Sequence, residues 1–169
     1  MNRLHIGHIV TSVIIVLVQV LLLKNIQILV FDRFTLSILI YPVVIIFLPV
    51  ELRRSFVVLT AFLLGLCIDS FYDSPGVHTA ALVLTGFFRG TILRLFEPRQ
   101  GYRNNVAIGP NAYGLSWFLY YLGVLLFVHI FAYFSLDAFT FVYIVKILVN
   151  TLMSFVVSYL VIILYKMIF

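Results

Sequence analysis

The sequence predicts an all-α integral membrane protein, one transmembrane domain of about six helices spanning all 169 residues. Three observations predict it. Hydrophobic residues make up 64% of the chain and charged residues only 10%, whereas an average soluble domain needs about 25% charged residues to cover its surface. The apolar residues fall into six runs approaching the length needed to cross a hydrocarbon core of about 30 Å. The cations collect on alternate links between those runs.

Taken in order, Met1 to His5 is a short head with Arg3, and Ile6 to Leu23 is the first predicted span, 18 residues without a charged side chain. Its length, and the Lys24-Asn25 that follows instead of a small-x-small cleavage site, argue for a retained helix over a removable signal. Gln19 is its one amide, expected to hydrogen-bond a neighbouring helix. Lys24 to Arg33 is a link with Asp32. Phe34 to Val50 is the second predicted span, kinked at Pro42, because a proline ring removes one backbone hydrogen bond and crowds the preceding turn. Glu51-Leu52-Arg53-Arg54 is a basic link, and Ser55 to Ile68 the third span.

Thr79 to Leu95 is the fourth span. Its Gly86 and Gly90 have the small-xxx-small spacing that lets another backbone approach, and Arg89 is expected to snorkel toward the same face as Arg94. Residues 96–112 form the longest polar link, with Arg99 and Arg103, an exposed loop whose ordinary partner is lipid headgroups. Leu115 to Phe134 is the fifth span and Phe139 to Phe169 the sixth. On the sixth, Lys146, Asn150, Ser154 and Ser158 recur every four residues along one winding stripe, a seam for another helix of this chain or of a partner.

The stretch from Gly65 to Thr79 holds the most chemistry: two acids, one histidine and a turn. Fourteen uncharged residues from Ser55 to Ile68 cover only about 21 Å of helix, so Asp69 falls inside the membrane or at its far boundary, where an ionisable group faces protein or water rather than lipid. Ser74-Pro75-Gly76-Val77 places Pro at i+1 and Gly at i+2 of a type II turn. Asp73 and His78 flank that turn. Lys146 and Asp69 both lie in the outer halves of their helices, which predicts that they are neighbours.

Counting charges across six spans puts Arg3, Arg53, Arg54, Arg94, Arg99, Arg103 and Lys166 on one side. Lys24 and Arg33 fall on the other, with Asp69, Asp73 and Asp137. That asymmetry predicts both termini in the cytoplasm.

Catalytic signatures are absent from the sequence. There is no phosphate-binding Gly-rich loop, no His-Glu-x-x-His and no Gly-x-Ser-x-Gly. His5 and His8 share a face with no further ligand cluster, and the lone Cys67 excludes an internal disulfide and a Cys-ligated metal site. The enzyme alternative is a membrane aspartyl peptidase using Asp69 and Asp137 as paired acids. The asparagine and arginine expected around the two acids of a lipoprotein signal peptidase are missing.

The whole chain, and above all Gly65-Leu66-Cys67-Ile68-Asp69 followed by Pro75-Gly76-Val77-His78-Thr79, resembles MreD, the rod shape-determining membrane protein of bacteria. The resemblance implies a non-catalytic scaffold of the cell-wall elongation machinery in the cytoplasmic membrane, without cofactor, metal or nucleic acid. It would act with an MreC-like single-span partner and, through the same assembly, the MreB filament, RodA and its partner transpeptidase; homo-oligomers are open. It implies a fold similar to the substrate-binding component of energy-coupling-factor transporters, and a vitamin carrier is accordingly the alternative function. Structural or partner-contact roles are expected at Gly65, Asp69, Asp73, Gly76, His78, Lys146 and Asn150.

Overall fold

The computed structural model describes residues 3–30, 33–102 and 108–168, the side chains of residues 3–9, 27, 30 and 141 excepted. The readings that rest on the side chains of Arg3, His5, His8, Asp32 and Arg103 lie outside the described residues.

The described chain is mostly helical. It runs through α1 (Arg3–Leu21), strands β1 (Gln27–Val30) and β2 (Phe34–Ser37), the one-turn α2 (Val43–Ile46), α3 (Arg54–Tyr72), α4 (Val77–Leu95), the one-turn α5 (Pro110–Tyr113), α6 (Leu115–Ala138) and α7 (Ile144–Ile168). Three of the helices, α3, α6 and α7, are long and apolar enough to cross a membrane. α3 packs on α4, α4 on α6 and α6 on α7, while α1 lies against α3.

The second predicted span is not a helix. Its first residues form β2, paired antiparallel with β1 from Gln27↔Ser37 to Val30↔Phe34. An extended stretch follows, then α2, capped at its N-terminus by Pro42. The reason lies in the two prolines, Pro42 and Pro49, which end the helix instead of kinking it. Residues just before a proline avoid the helical region, and a helix cannot continue through the ring, so only one turn fits between Pro42 and Pro49. A fully buried apolar run reads the same as strand or helix. Leu39, Tyr41, Val43, Ile45 and Ile46 are all buried, so this segment threads the middle of the bundle.

Non-helical backbone in an apolar interior must find partners for every N–H and C=O. The α7 stripe supplies them. Asn150 Oδ1 accepts from Thr35 N at 3.1 Å, Ser154 Oγ from Ser37 N at 3.0 Å and Ser158 Oγ from Leu39 N at 2.9 Å. The periods match: four helical residues rise about 6 Å and two extended residues about 6.7 Å. Side chains every fourth residue of α7 therefore meet every second amide of the strand, like a substitute neighbouring strand. On the other side, Gln19 Oε1 accepts from Ile40 N at 2.8 Å, and its Nε2 donates to Ile38 O at 3.1 Å and to the Tyr72 hydroxyl at 2.8 Å. The expected seam on α7 is thus intrachain, and its partner is a strand. Leu152, Val156, Leu160 and Leu164, on the opposite face of α7, are exposed, so this helix is polar toward the protein and apolar outside.

Arg89 does not snorkel. It is buried, and its guanidinium donates through Nε to Ile46 O at 3.4 Å and through Nη2 to Leu48 O and to Pro49 O, the last at 3.2 Å. Tyr121 adds a hydroxyl to Ile46 O at 2.8 Å. These carbonyls lie at and beyond the C-terminal end of α2, the groups a helix end leaves unpaired. Of the two α4 glycines, Gly86 fits against Ala61 of α3, whose Cβ would stand 3.3 Å from a Cβ at Gly86. A Cβ at Gly90 would meet nothing within 4 Å.

Candidate functional site

The sequence motif folds into the joint between α3 and α4. α3 ends at Tyr72, and Asp73 takes the left-handed conformation at φ 52° as its C-cap. Gly76 precedes α4 at φ 87°, ψ 12°, the values of the i+2 residue of the expected type II turn. Glycine there has no side chain to cap α4, and the amides of a helix's first turn need an acceptor. Asp69, one turn before the end of α3, provides it.

Its Oδ1 accepts from His78 N at 3.0 Å, and its Oδ2 from Thr79 N at 2.9 Å and Thr79 Oγ1 at 2.5 Å. Ser74 Oγ also donates to Oδ1. The carboxylate is therefore a cap delivered from the neighbouring helix, and it sits favourably at the positive end of the α4 dipole. Across the bundle surface, Lys24 donates to Phe71 O near the other helix terminus of the joint, where a cation is favoured.

Gly65, one turn before Asp69, lies against Thr79. A Cβ there would collide with the Thr79 backbone and crowd its hydroxyl, so absence of a side chain sets how closely α3 and α4 approach. Gly65→Ala is expected to lower stability by about 2 kcal/mol, as overpacking against backbone does, and to loosen the Asp69 clasp with it. The check is unfolding by sodium dodecyl sulfate titration in mixed micelles. A variant as stable as the parent would show that the close approach is unimportant.

Beneath the clasp lies a buried polar chain. His78 Nδ1 and His129 Nε2 stand 2.7 Å and 2.8 Å from the Tyr41 hydroxyl, and His129 Nδ1 stands 2.9 Å from Thr85 Oγ1, which donates to Ala81 O at 2.7 Å. One assignment of protons satisfies all four contacts. Thr85 spends its hydrogen on Ala81 O, so it accepts from His129 Nδ1–H. Tyr41 then donates to His129 Nε2 and accepts from His78 Nδ1–H. The Tyr41 ring stands edge-on to both imidazoles, with centroids 5.4 Å and 5.1 Å away, so it pins the threaded segment to α4 and α6. Buried polar groups fully partnered in this way rigidify a core.

The structure brings Gly65, Asp69, Gly76 and His78 together, with Asp73 exposed at the turn. Lys146 and Asn150 sit elsewhere. Lys146 lines a cavity of about 400 Å³ with Asp137, Tyr133, Thr35 and Asn150. The expected Asp69–Lys146 pair is replaced by a different arrangement: Asp69 is saturated by donors from its own joint, and the acid facing Lys146 is Asp137. Of the two acids the enzyme alternative would pair, Asp69 is bound to the first amides of α4 and Asp137 lines the cavity beside Lys146.

Sequence reasoning passed over Tyr41, Thr85, His129 and the true role of Arg89. A signal was present for His129, the one ionisable group other than tyrosine between Leu115 and Leu136; such a residue inside an apolar helix always needs a partner. Among the described residues there is no group of three His, Cys, Asp or Glu side chains that could hold a metal. Compared with known proteins, the chain matches no family model, no curated protein and no solved structure.

Proposed function

We propose that this chain is a non-catalytic membrane scaffold of the bacterial cell-wall elongation machinery, of the MreD kind, binding an MreC-like single-span partner. The observation that carries the reading is that Asp69 and His78, the motif's acid and imidazole, are spent on holding the protein together. A general acid or nucleophile needs a free, accessible group; here the carboxylate serves as a helix cap. The outward faces of α1, α3 and α7 offer Ile14 and Leu17, Leu59 and Leu63, and Leu152 and Val156 to the surroundings, surfaces suited to lateral contact with partner helices.

The threaded segment runs from the α7 stripe at Asn150 toward Arg89, so in this reading it counts as a traverse although it is not a helix. Six traverses in the cytoplasmic membrane keep both termini in the cytoplasm, as the cation count asks. The Asp69–His78 joint and the Asp137 turn then face outward, where they meet the partner's extracytoplasmic domain. The basic link after α4 meets cytoplasmic partners or anionic lipid.

One observation favours a second reading. The cavity beside Lys146 and Asp137, about 400 Å³ and polar, has the size of a small-molecule site, as a vitamin carrier would need. Affinity purification of the tagged chain from native membranes, with mass spectrometry of proteins and small molecules, decides between them. Recovery of a single-span wall-synthesis protein without a bound small molecule is the expected result. A chain that retains a vitamin and no such partner would sink the scaffold reading.

A further inference from the structure

We propose that a basic cleft between the start of α3 and the second half of α4 binds the phosphate of an anionic lipid headgroup. The cleft encloses about 240 Å³, and its lining includes Arg54, Arg89, Arg94, Gly90, Glu97 and Tyr102. Three guanidinium groups face one carboxylate, and among the described residues none of the three is held by an ion pair.

Each is fixed in place by main-chain carbonyls instead. Arg54 Nη2 donates to Phe87 O at 3.0 Å, and the guanidinium sits over the Phe87 ring, its Cζ 3.7 Å from the centroid. Arg94 Nε donates to Gly90 O at 3.3 Å. Arg89 is anchored to the end of α2 through Nε and Nη2, and none of those bonds uses Nη1. A carbonyl orients a guanidinium without neutralising it, and five N–H donors per arginine leave several to spare. Planar, forked donors of this type match phosphate oxygens.

Two further features favour an anion. α3 begins at Arg54 with no side-chain cap on its first amides, and its positive dipole end opens at the same place. Gly90 leaves the floor of the cleft empty. Tyr102 closes one wall, its hydroxyl donating to Leu93 O at 2.6 Å. The volume is below the 300–1,000 Å³ or so of pockets that enclose whole small molecules, so it suits a phosphate ester and leaves the rest of the ligand outside. Phe56, Phe87 and Leu95 are exposed around the cleft, and acyl chains would lie on them. The proposal does not depend on the scaffold reading.

The test is native mass spectrometry of the whole protein in detergent, titrated with phosphatidylglycerol, phosphatidylcholine or inorganic phosphate. Phosphatidylglycerol is expected to bind at least about tenfold more tightly than phosphatidylcholine. Arg54→Gln and Arg94→Gln each weaken it about fivefold, and together about 25-fold. Arg33→Gln, exposed in the link between β1 and β2 and outside the cleft, leaves it unchanged. Gly90→Leu fills the cleft at constant charge and abolishes the preference, which keeps the test decisive if the arginine variants fold poorly. Equal effects of Arg33→Gln and Arg94→Gln would reduce the site to general surface charge and overturn the proposal. So would inorganic phosphate competing as well as the lipid, which would mark a free-anion site.

Discussion

Asp69→Ala is expected to lower the unfolding free energy by about 4 kcal/mol, and Asp69→Asn by about half as much. In the alanine variant the amides of His78 and Thr79 lose their acceptor in a buried joint. The N-cap of a helix is worth about 1 kcal/mol, and each buried donor left without a partner costs about 1–3 kcal/mol more. Two hydroxyls, from Ser74 and Thr79, lose their partner as well, but these rotate and recover part of the loss. Asparagine keeps one acceptor oxygen and turns an NH2 toward donors, so it rescues one side of the clasp only. Ser74→Ala, at the exposed edge, is expected to cost about 1 kcal/mol or less.

This ordering distinguishes a structural acid from a chemical one. Were Asp69 a catalytic group, alanine and asparagine would both abolish activity in a protein as stable as the parent. The measurement is unfolding by sodium dodecyl sulfate titration in mixed micelles, combined with recovery of partners from native membranes. Wild-type stability of Asp69→Ala would remove the clasp from the account and with it the main support for a non-catalytic role.

How much of this was legible depended on whether local rules or long-range partners decided each element. The Ser74-Pro75-Gly76-Val77 turn was readable because proline and glycine restrict the backbone by themselves. The α7 stripe was readable as polar and periodic, since Asn150, Ser154 and Ser158 repeat every four residues; its partner was not. Nothing local says that Thr35, Ser37 and Leu39, over a hundred residues away, would present their amides at a matching interval. Phe34 to Val50 was misread because apolarity alone does not report backbone conformation, and Pro42 was weighed as a kink instead of an end. Asp69 was placed inside the membrane or at its far boundary, facing protein or water, but its partners lie five to ten residues onward across the turn. Lys146 was assigned to it by depth in the membrane, a coordinate that leaves position around the bundle undetermined. Lys24, an odd cation under the charge count, makes sense only once Phe71 O is seen beside it.

Arg89→Met is expected to cost about 2–3 kcal/mol, and Arg89→Lys about 1. Methionine conserves much of the side chain's apolar stem but leaves the carbonyls of Leu48 and Pro49 without these donors inside the bundle. Ile46 O retains the Tyr121 hydroxyl and Pro49 O the Leu52 amide at 3.4 Å, so the Leu48 carbonyl, at about 1–3 kcal/mol, sets most of the loss. Lysine keeps the charge as a compact point and reaches fewer of these carbonyls than a planar fork does. A snorkelling arginine would behave differently, since lysine snorkels equally well and would be neutral. The double-mutant cycle with Tyr121→Phe adds a sharper criterion. Both side chains donate to Ile46 O, so the pair is expected to couple by about 1 kcal/mol, as residues sharing one acceptor do. Stability of Arg89→Lys equal to the parent, with no coupling to Tyr121→Phe, would return Arg89 to the interface. The expected loss instead follows from the broken segment itself: ending a helix after one turn inside an apolar bundle leaves carbonyls that only a donor from another helix can satisfy.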